Sequence, residues 1–188
     1  MNRVLILFGL IAAALATVLA VEQVYTPKPG ETLMRMEVEG RGTIVIRLNT
    51  KEAPQTTAHI MDLVRRGFYD GQRFHEVIKS PRPYLVRIGD PLSKDPSKLD
   101  DPRMGTGGSG KRIPLENSGL THDTGAVGLA TYRDDKTAGD SQFYIMLAPA
   151  KFLDGNYTVF GKVVAGMDVV NSVQKGDKVV SVKIQVGG

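Results

Sequence analysis

Apolar and polar residues alternate one by one along several short stretches of this 188-residue chain. Met34, Met36 and Val38 alternate with Arg35, Glu37 and Glu39. After the turn Gly40-Arg41-Gly42, Ile44, Ile46 and Leu48 alternate with Val45 and Arg47. A period of two with one apolar face predicts half-buried strands, and two such runs around a glycine turn predict a hairpin. Val180, Val182, Ile184 and Val186 repeat the pattern and predict a last strand with those four on its apolar side. Phe74 to Ile78, Tyr84 to Ile88, Val127 to Thr131, Gln142 to Leu147 and Thr158 to Val164 read as further strands.

Only two stretches carry helical spacing. Pro54 suits a first helical turn, Ala58, Met61, Leu63 and Val64 follow, and Gly67 fits the stop. Met167, Val170 and Val173 predict a second, shorter helix. Residues 90–112 carry Pro91, Pro96, Pro102 and a run of glycines, which predicts a long loop. A loop of that length in a compact domain is usually functional or mobile. Many short strands with two helices predict an all-β domain, and periodicity does not choose between a closed barrel and a sandwich.

The N-terminal segment changes the picture of organisation. Arg3 precedes an apolar run from Val4 to Val21 that ends in small residues, the pattern of a secretory signal. Its length also reaches the lower limit of a membrane-spanning helix, so residues 1–21 read as a signal peptide or an N-terminal membrane anchor. Residues 22–32, with Pro27, Pro29 and Gly30, read as a linker, and 33–188 as one domain. Either fate of the segment implies an exported domain: periplasmic, secreted or held on the outer face of the membrane through residues 4–21. The chain has no cysteine, which removes disulfides, thiolate metal sites and a cysteine nucleophile. The formal charge of +4 is spread without a basic run, so no nucleic-acid partner is expected.

Gly105-Thr106-Gly107-Gly108-Ser109-Gly110-Lys111-Arg112 nearly matches a phosphate-binding loop. Arg112 stands where Ser or Thr is needed, and Pro114 follows where a helix should begin, so the flexible-loop reading wins. His59, His75 and His122 lack metal-ligand spacing, and His75 reads as a hydrogen-bonded structural histidine. Asp95, Asp100, Asp101, Asp134, Asp135 and Asp140 read as solvated turn residues rather than calcium ligands. Neither a metal nor a cofactor is expected.

Taken in order, Gly71-Gln72-Arg73-Phe74-His75-Glu76-Val77-Ile78, Gly105-Thr106-Gly107-Gly108, Ser141-Gln142-Phe143-Tyr144-Ile145, Leu153-Asp154-Gly155 and Val159-Phe160-Gly161 resemble the cyclophilins, which are peptidyl-prolyl cis-trans isomerases. Gly67-Phe68-Tyr69-Asp70-Gly71, Gly89-Asp90-Pro91 and Gly125-Ala126-Val127-Gly128-Leu129-Ala130 agree. The resemblance covers about residues 34–186. It implies a closed eight-stranded antiparallel β-barrel capped by two α-helices, acting as a monomer on proline-containing segments of folding proteins. The implied proline pocket is Tyr84, Leu85, Tyr144 and Leu153, with Tyr84 and Tyr144 where the family usually has phenylalanine. Each extra hydroxyl then needs a partner. Ala130, Thr131 and Gln142 would line the adjoining peptide site, Phe152 falls where many relatives have tryptophan, and Tyr157 lies beside the groove.

One departure concerns catalysis. The family reads Phe-His-Arg where this chain has Phe74-His75-Glu76, and Arg87 occupies a position of the family's glutamine on the next strand. The expectation is that Arg87 donates toward the prolyl group while Glu76 orients it through a bidentate pair, with Gln142 completing the catalytic set. Arg82, in a turn longer than usual for the family, is a further candidate. The competing reading is a structural ion pair in a groove that binds without turning over.

Overall fold

A computed structural model describes residues 25–132 and 135–188. The segment read as a signal or anchor, and Asp134, lie outside the described residues. The predicted hairpin forms as β1 (Thr32–Val38) and β2 (Gly42–Leu48). The chain continues through α1 (Pro54–Arg65), β3 (Glu76–Ile78), β4 (Leu85–Ile88) and the two-residue β5 (Ile113–Pro114). It ends through β6 (Ala126–Thr131), β7 (Ala138–Met146), β8 (Val159–Ala165), α2 (Met167–Ser172) and β9 (Val179–Val186).

Eight strands lie on one antiparallel path in the order β3-β4-β7-β6-β8-β2-β1-β9, and β5 attaches to β7. The sheet curls so that its two ends approach. An isolated bridge pairs Arg73, ahead of β3, with Lys178, ahead of β9. The fold is therefore all-β with a curled sheet and two helices. The strand ladder is an open path joined at one seam, which is coarser than the closed barrel that the resemblance implied.

Strand alternation divides the buried residues between two faces. Val86 and Ile88 of β4, Val127 and Leu129 of β6, and Phe143 and Ile145 of β7 point into the main core. Leu85, Ala126, Ala130, Tyr144 and Met146 point the other way, into a second apolar cluster with Ala150, Leu153 and Val159. All of β7 is buried because both of its faces are covered.

Two sequence expectations need correction. In α1 the buried face is Thr56, His59, Ile60, Leu63 and Val64, while Ala58 is exposed. The polar His59 and Thr56 can face inward because each finds a partner: His59 meets Asp140, and Thr56 meets Glu116. Ala53 offers no side-chain cap, and Glu116 accepts instead from the Gln55 and Thr56 amides at 3.0 and 2.7 Å. That carboxylate satisfies orphan donors at the positive end of the helix. In β9 the register against β1 shifts between Glu37 and Val38. This bulge turns Val179 inward and leaves Val180 exposed, against the simple alternation, while Val186 keeps the register and is exposed at the strand's end.

Candidate functional site

Four residues line up straight across the sheet. Glu76 of β3 pairs with Arg87 of β4, Arg87 with Tyr144 of β7, and Tyr144 with Gly128 of β6. A single row on the outer face thus runs from a half-exposed charge pair to a buried aromatic ring. Leu85 and Met146, two residues along the same strands, extend the apolar part. Above this row opens a cavity of about 150 Å³ lined by Tyr84, Leu85, Arg87, Tyr144, Leu153 and Tyr157. Gly105, Ala130, Thr131 and Lys136 complete its edge.

The floor is the most constrained part. Tyr144 is buried, and its hydroxyl lies 2.9 Å from His122 Nε2. His122 Nδ1 lies 2.8 Å from Asp154 Oδ1, which also accepts from the His122 amide at 2.8 Å. An ionised carboxylate only accepts, so Nδ1 carries the proton, and in the neutral imidazole Nε2 then accepts from the Tyr144 hydroxyl. The hydrogen bond from the His122 side chain, with that from its amide, holds the Asp154 carboxyl below its ordinary value. Burial pushes the Tyr144 hydroxyl far above the usual range, so it stays protonated. The hydroxyl has room only because residue 128 is glycine: a Cβ there would stand 2.4 Å from the Tyr144 oxygen.

The rim is looser. Arg87 Nε lies 2.7 Å from Glu76 Oε2, with both side chains partly exposed. The Nε–H is not aimed at the carboxylate, so the contact is a single ion pair, and the expected bidentate arrangement is absent. The guanidinium reaches past Glu76. Its Nη2 lies 3.3 Å from where a Cβ on Gly105 would stand, and Gly105 holds φ of +82°. Arg87 therefore touches Glu76 with its stem end and edges the cavity with its tip. Arg82 lies in the exposed turn before β4 and does not line the cavity.

Beneath the rim, His75 is buried beside the Gln142 side chain, and among the described residues neither ring nitrogen makes a well-aligned hydrogen bond. Burial lowers its pKa from 6.5 to about 4, the Arg87 charge adds to this, and Asp90 opposes it.

A second cavity of about 370 Å³ adjoins the first and shares Gly105, Ala130 and Thr131 with it. Thr106, Gly107, Arg112, Tyr132, Asp140 and Gln142 form the rest of its lining. Gln142 Nε2 donates to Gly107 O at 2.7 Å, which fixes the amide against the glycine loop. Asp90 Oδ2 accepts from the Gly105 and Gly107 amides at 2.7 and 3.0 Å. Asp140, expected to be a solvated turn residue, is buried in β7. It escaped notice because its neighbours in sequence are small and polar while its partners are remote.

Residues 33–186 match the family described as cyclophilin type peptidyl-prolyl cis-trans isomerase/CLD. The chain belongs to the cyclophilin family. A probable peptidyl-prolyl cis-trans isomerase of Brucella suis is 40% identical over 139 residues, covering 73% of this chain and 69% of that protein. Human peptidyl-prolyl cis-trans isomerase-like 1 is 36% identical over 135 residues, covering 70% of this chain and 74% of that protein. A cyclophilin type isomerase from Cryptosporidium parvum shares the fold at a TM-score of 0.69 and 20% identity, over 84% of this chain and 99% of that one. A second crystal structure of that protein, in the presence of the dipeptide Ala-Pro, aligns at a TM-score of 0.67 and 22% identity, over 83% and 99%.

Within this cyclophilin, the residues named from sequence divide by location. Tyr84, Leu85, Arg87, Tyr144, Leu153 and Tyr157 gather on the smaller cavity, Gln142 lies on the larger, and Ala130 and Thr131 lie between. Glu76 lines neither cavity and pairs with Arg87, which lines the smaller one. Phe152 is 72% exposed and reaches the site by stacking on Tyr84, with ring centroids 6.2 Å apart. Sequence reasoning missed the parts played by His122, Asp154 and Gly128. The surplus hydroxyl at Tyr144 was the available signal, since a buried hydroxyl obliges a partner somewhere.

Proposed function

We propose that this isomerase turns over proline-containing segments of exported proteins, with Arg87 as the donor in place of the arginine absent at Glu76. The observation that carries this reading is the tip of Arg87 beside Gly105 at the edge of the smaller cavity while its Nε rests on Glu76. An Xaa-Pro bond rotates slowly because amide resonance gives a barrier of about 18–20 kcal/mol. A proline ring fits the smaller cavity against the Tyr144 ring and Leu153. As resonance is lost the prolyl nitrogen gains a lone pair, and a guanidinium N–H can donate to it. A bond that strengthens in the transition state accelerates the step. Glu76 offers no donor when ionised, and its part is to hold Arg87 across the strand pair. No covalent intermediate enters this scheme. The Ala-Pro dipeptide present with the Cryptosporidium parvum relative supports a proline-containing ligand here.

The signal-like run at residues 4–21 supports export, and slow proline isomerisation gives such an enzyme work in the folding of exported chains. Hydrogen bonds between residues 71–74 and 176–179, among them Phe74 N to Asp177 O at 3.0 Å and Val179 N to Gln72 O at 2.8 Å, support reading the curled sheet as a barrel closed at that seam. The test is two-dimensional exchange NMR on an Ala-Pro-Phe peptide with and without the purified chain. Faster cis-to-trans exchange is the expected outcome. Shifted peptide resonances without faster exchange would replace this reading with a peptide-holding module, which the Glu76–Arg87 ion pair would then serve as a structural contact.

A further inference from the structure

Asp140 stands at the base of the larger cavity and joins three separate pieces of chain. From α1, His59 Nε2 approaches Oδ1 at 3.1 Å. From the glycine loop, Ser109 Oγ donates to Oδ1 and the Gly110 amide to Oδ2 at 2.9 Å. From the segment after β6, the Tyr132 hydroxyl donates to Oδ2 at 3.0 Å. The side chains of His59 and Asp140 are 2% and 4% exposed, so these bonds are made out of water. Burial works against the carboxylate, and these donors outweigh it. The packing leaves no slack: a Cβ on Gly108 would stand 2.3 Å from Oδ2.

The glycine loop and the Ala130–Tyr132 segment both line the larger cavity, so the carboxylate that ties both also sets the gap between them. Asp140 is also two residues from Gln142 on β7, and Gln142 reaches the same loop at Gly107. We propose that Asp140 is a positioning residue for substrate: it fixes the width of the larger cavity, and thereby the affinity for peptide residues flanking the proline, without touching the reacting bond. This rests on reading the smaller cavity as the proline site. A peptide whose proline sits there runs into the larger cavity across Gly105, Ala130 and Thr131, because the two cavities share those residues.

The experiment compares two probes on the full chain by NMR titration: the dipeptide Ala-Pro, which fills only the smaller cavity, and a hexapeptide with Ala-Pro at its centre. Asp140→Asn keeps the shape and replaces one acceptor oxygen by an NH2, which then faces either the Gly110 and Tyr132 donors or His59 and Ser109. A loss equal to one mismatched bond, about 1 kcal/mol, predicts weakening of the hexapeptide by about fivefold more than of Ala-Pro. Tyr132→Phe removes one donor and keeps the carboxylate, so it gives the same bias at smaller size if Asp140→Asn does not fold. Equal weakening of both probes, or of neither, would overturn the positioning role. Failure of Ala-Pro to bind the unsubstituted chain is a different result: it would remove the proline site itself.

Discussion

The floor and the rim of the groove lie on one row of the sheet, yet they accommodate their unusual residues in different ways. At the floor, the hydroxyl of Tyr144 is matched by His122, by Asp154 behind it, and by the absence of a side chain at Gly128. At the rim, among the described residues, the Glu76 carboxylate is matched by Arg87 through one unaligned contact. Burial explains the contrast. A polar group out of water costs about 1–3 kcal/mol if left unpaired, so every neighbour at the floor is specified. A half-exposed ion pair is worth about 0–1 kcal/mol, so the rim is free to serve the ligand. Substitutions at the floor should therefore act on stability, and substitutions at the rim on rate.

His75 is where that contrast should break most strongly, because it is buried at the base of the rim. It stays neutral in the folded chain, with a pKa of about 4, and ordinary imidazole titrates at 6.5. Between those values the unfolded chain binds the extra proton, so stability falls as pH falls from 6.5 toward 4 and is fully present above 6.5. The displacement corresponds to about 3 kcal/mol at most. Urea unfolding at pH 7, 5.5 and 4 should show a falling midpoint, and His75→Gln should remove most of that fall. A flat profile in the unsubstituted chain would mean that His75 is not held neutral.

Arg87→Ala tests the rim directly. Removal of a charge-assisted bond made in the transition state should cost about 1.5–3 kcal/mol, or about one to two decades in kcat/KM. The melting temperature should move little, since the pair with Glu76 is partly exposed. Unchanged turnover with a folded protein would leave the catalytic donor elsewhere. A large fall in melting temperature would instead make the rim as structural as the floor.

The sequence made the strand pattern legible wherever one apolar face met one polar face, as in the hairpin of β1 and β2. It misled at β9, because a bulge against β1 reverses the alternation, and pairing partners are invisible to a local pattern. It misled again at α1, where His59 and Thr56 face inward only because Asp140 and Glu116 come from far along the chain. The groove shows the same limit. The cross-strand match of Glu76 with Arg87 was readable from two exchanged residues against a family pattern. The string from Tyr144 through His122 to Asp154 was readable only as a demand, a hydroxyl in want of an acceptor, with the acceptor supplied by the fold. Long-range polar contacts carry no period, and so the sequence conceals them until the elements are docked.

Tyr144→Phe is the mildest change and the cleanest probe of the floor. It deletes one oxygen, keeps the ring, and leaves His122 Nε2 buried without its donor. The expected cost is about 1–2 kcal/mol of stability. For a domain of this size that lowers the melting temperature by about 2–8 °C. The ring face presented to the proline is retained, so kcat/KM should fall by less than in Arg87→Ala. Calorimetry and exchange NMR on the two variants together decide the matter. If Tyr144→Phe proves the more damaging to rate, the hydroxyl orients substrate as well as structure, and the division between floor and rim does not hold.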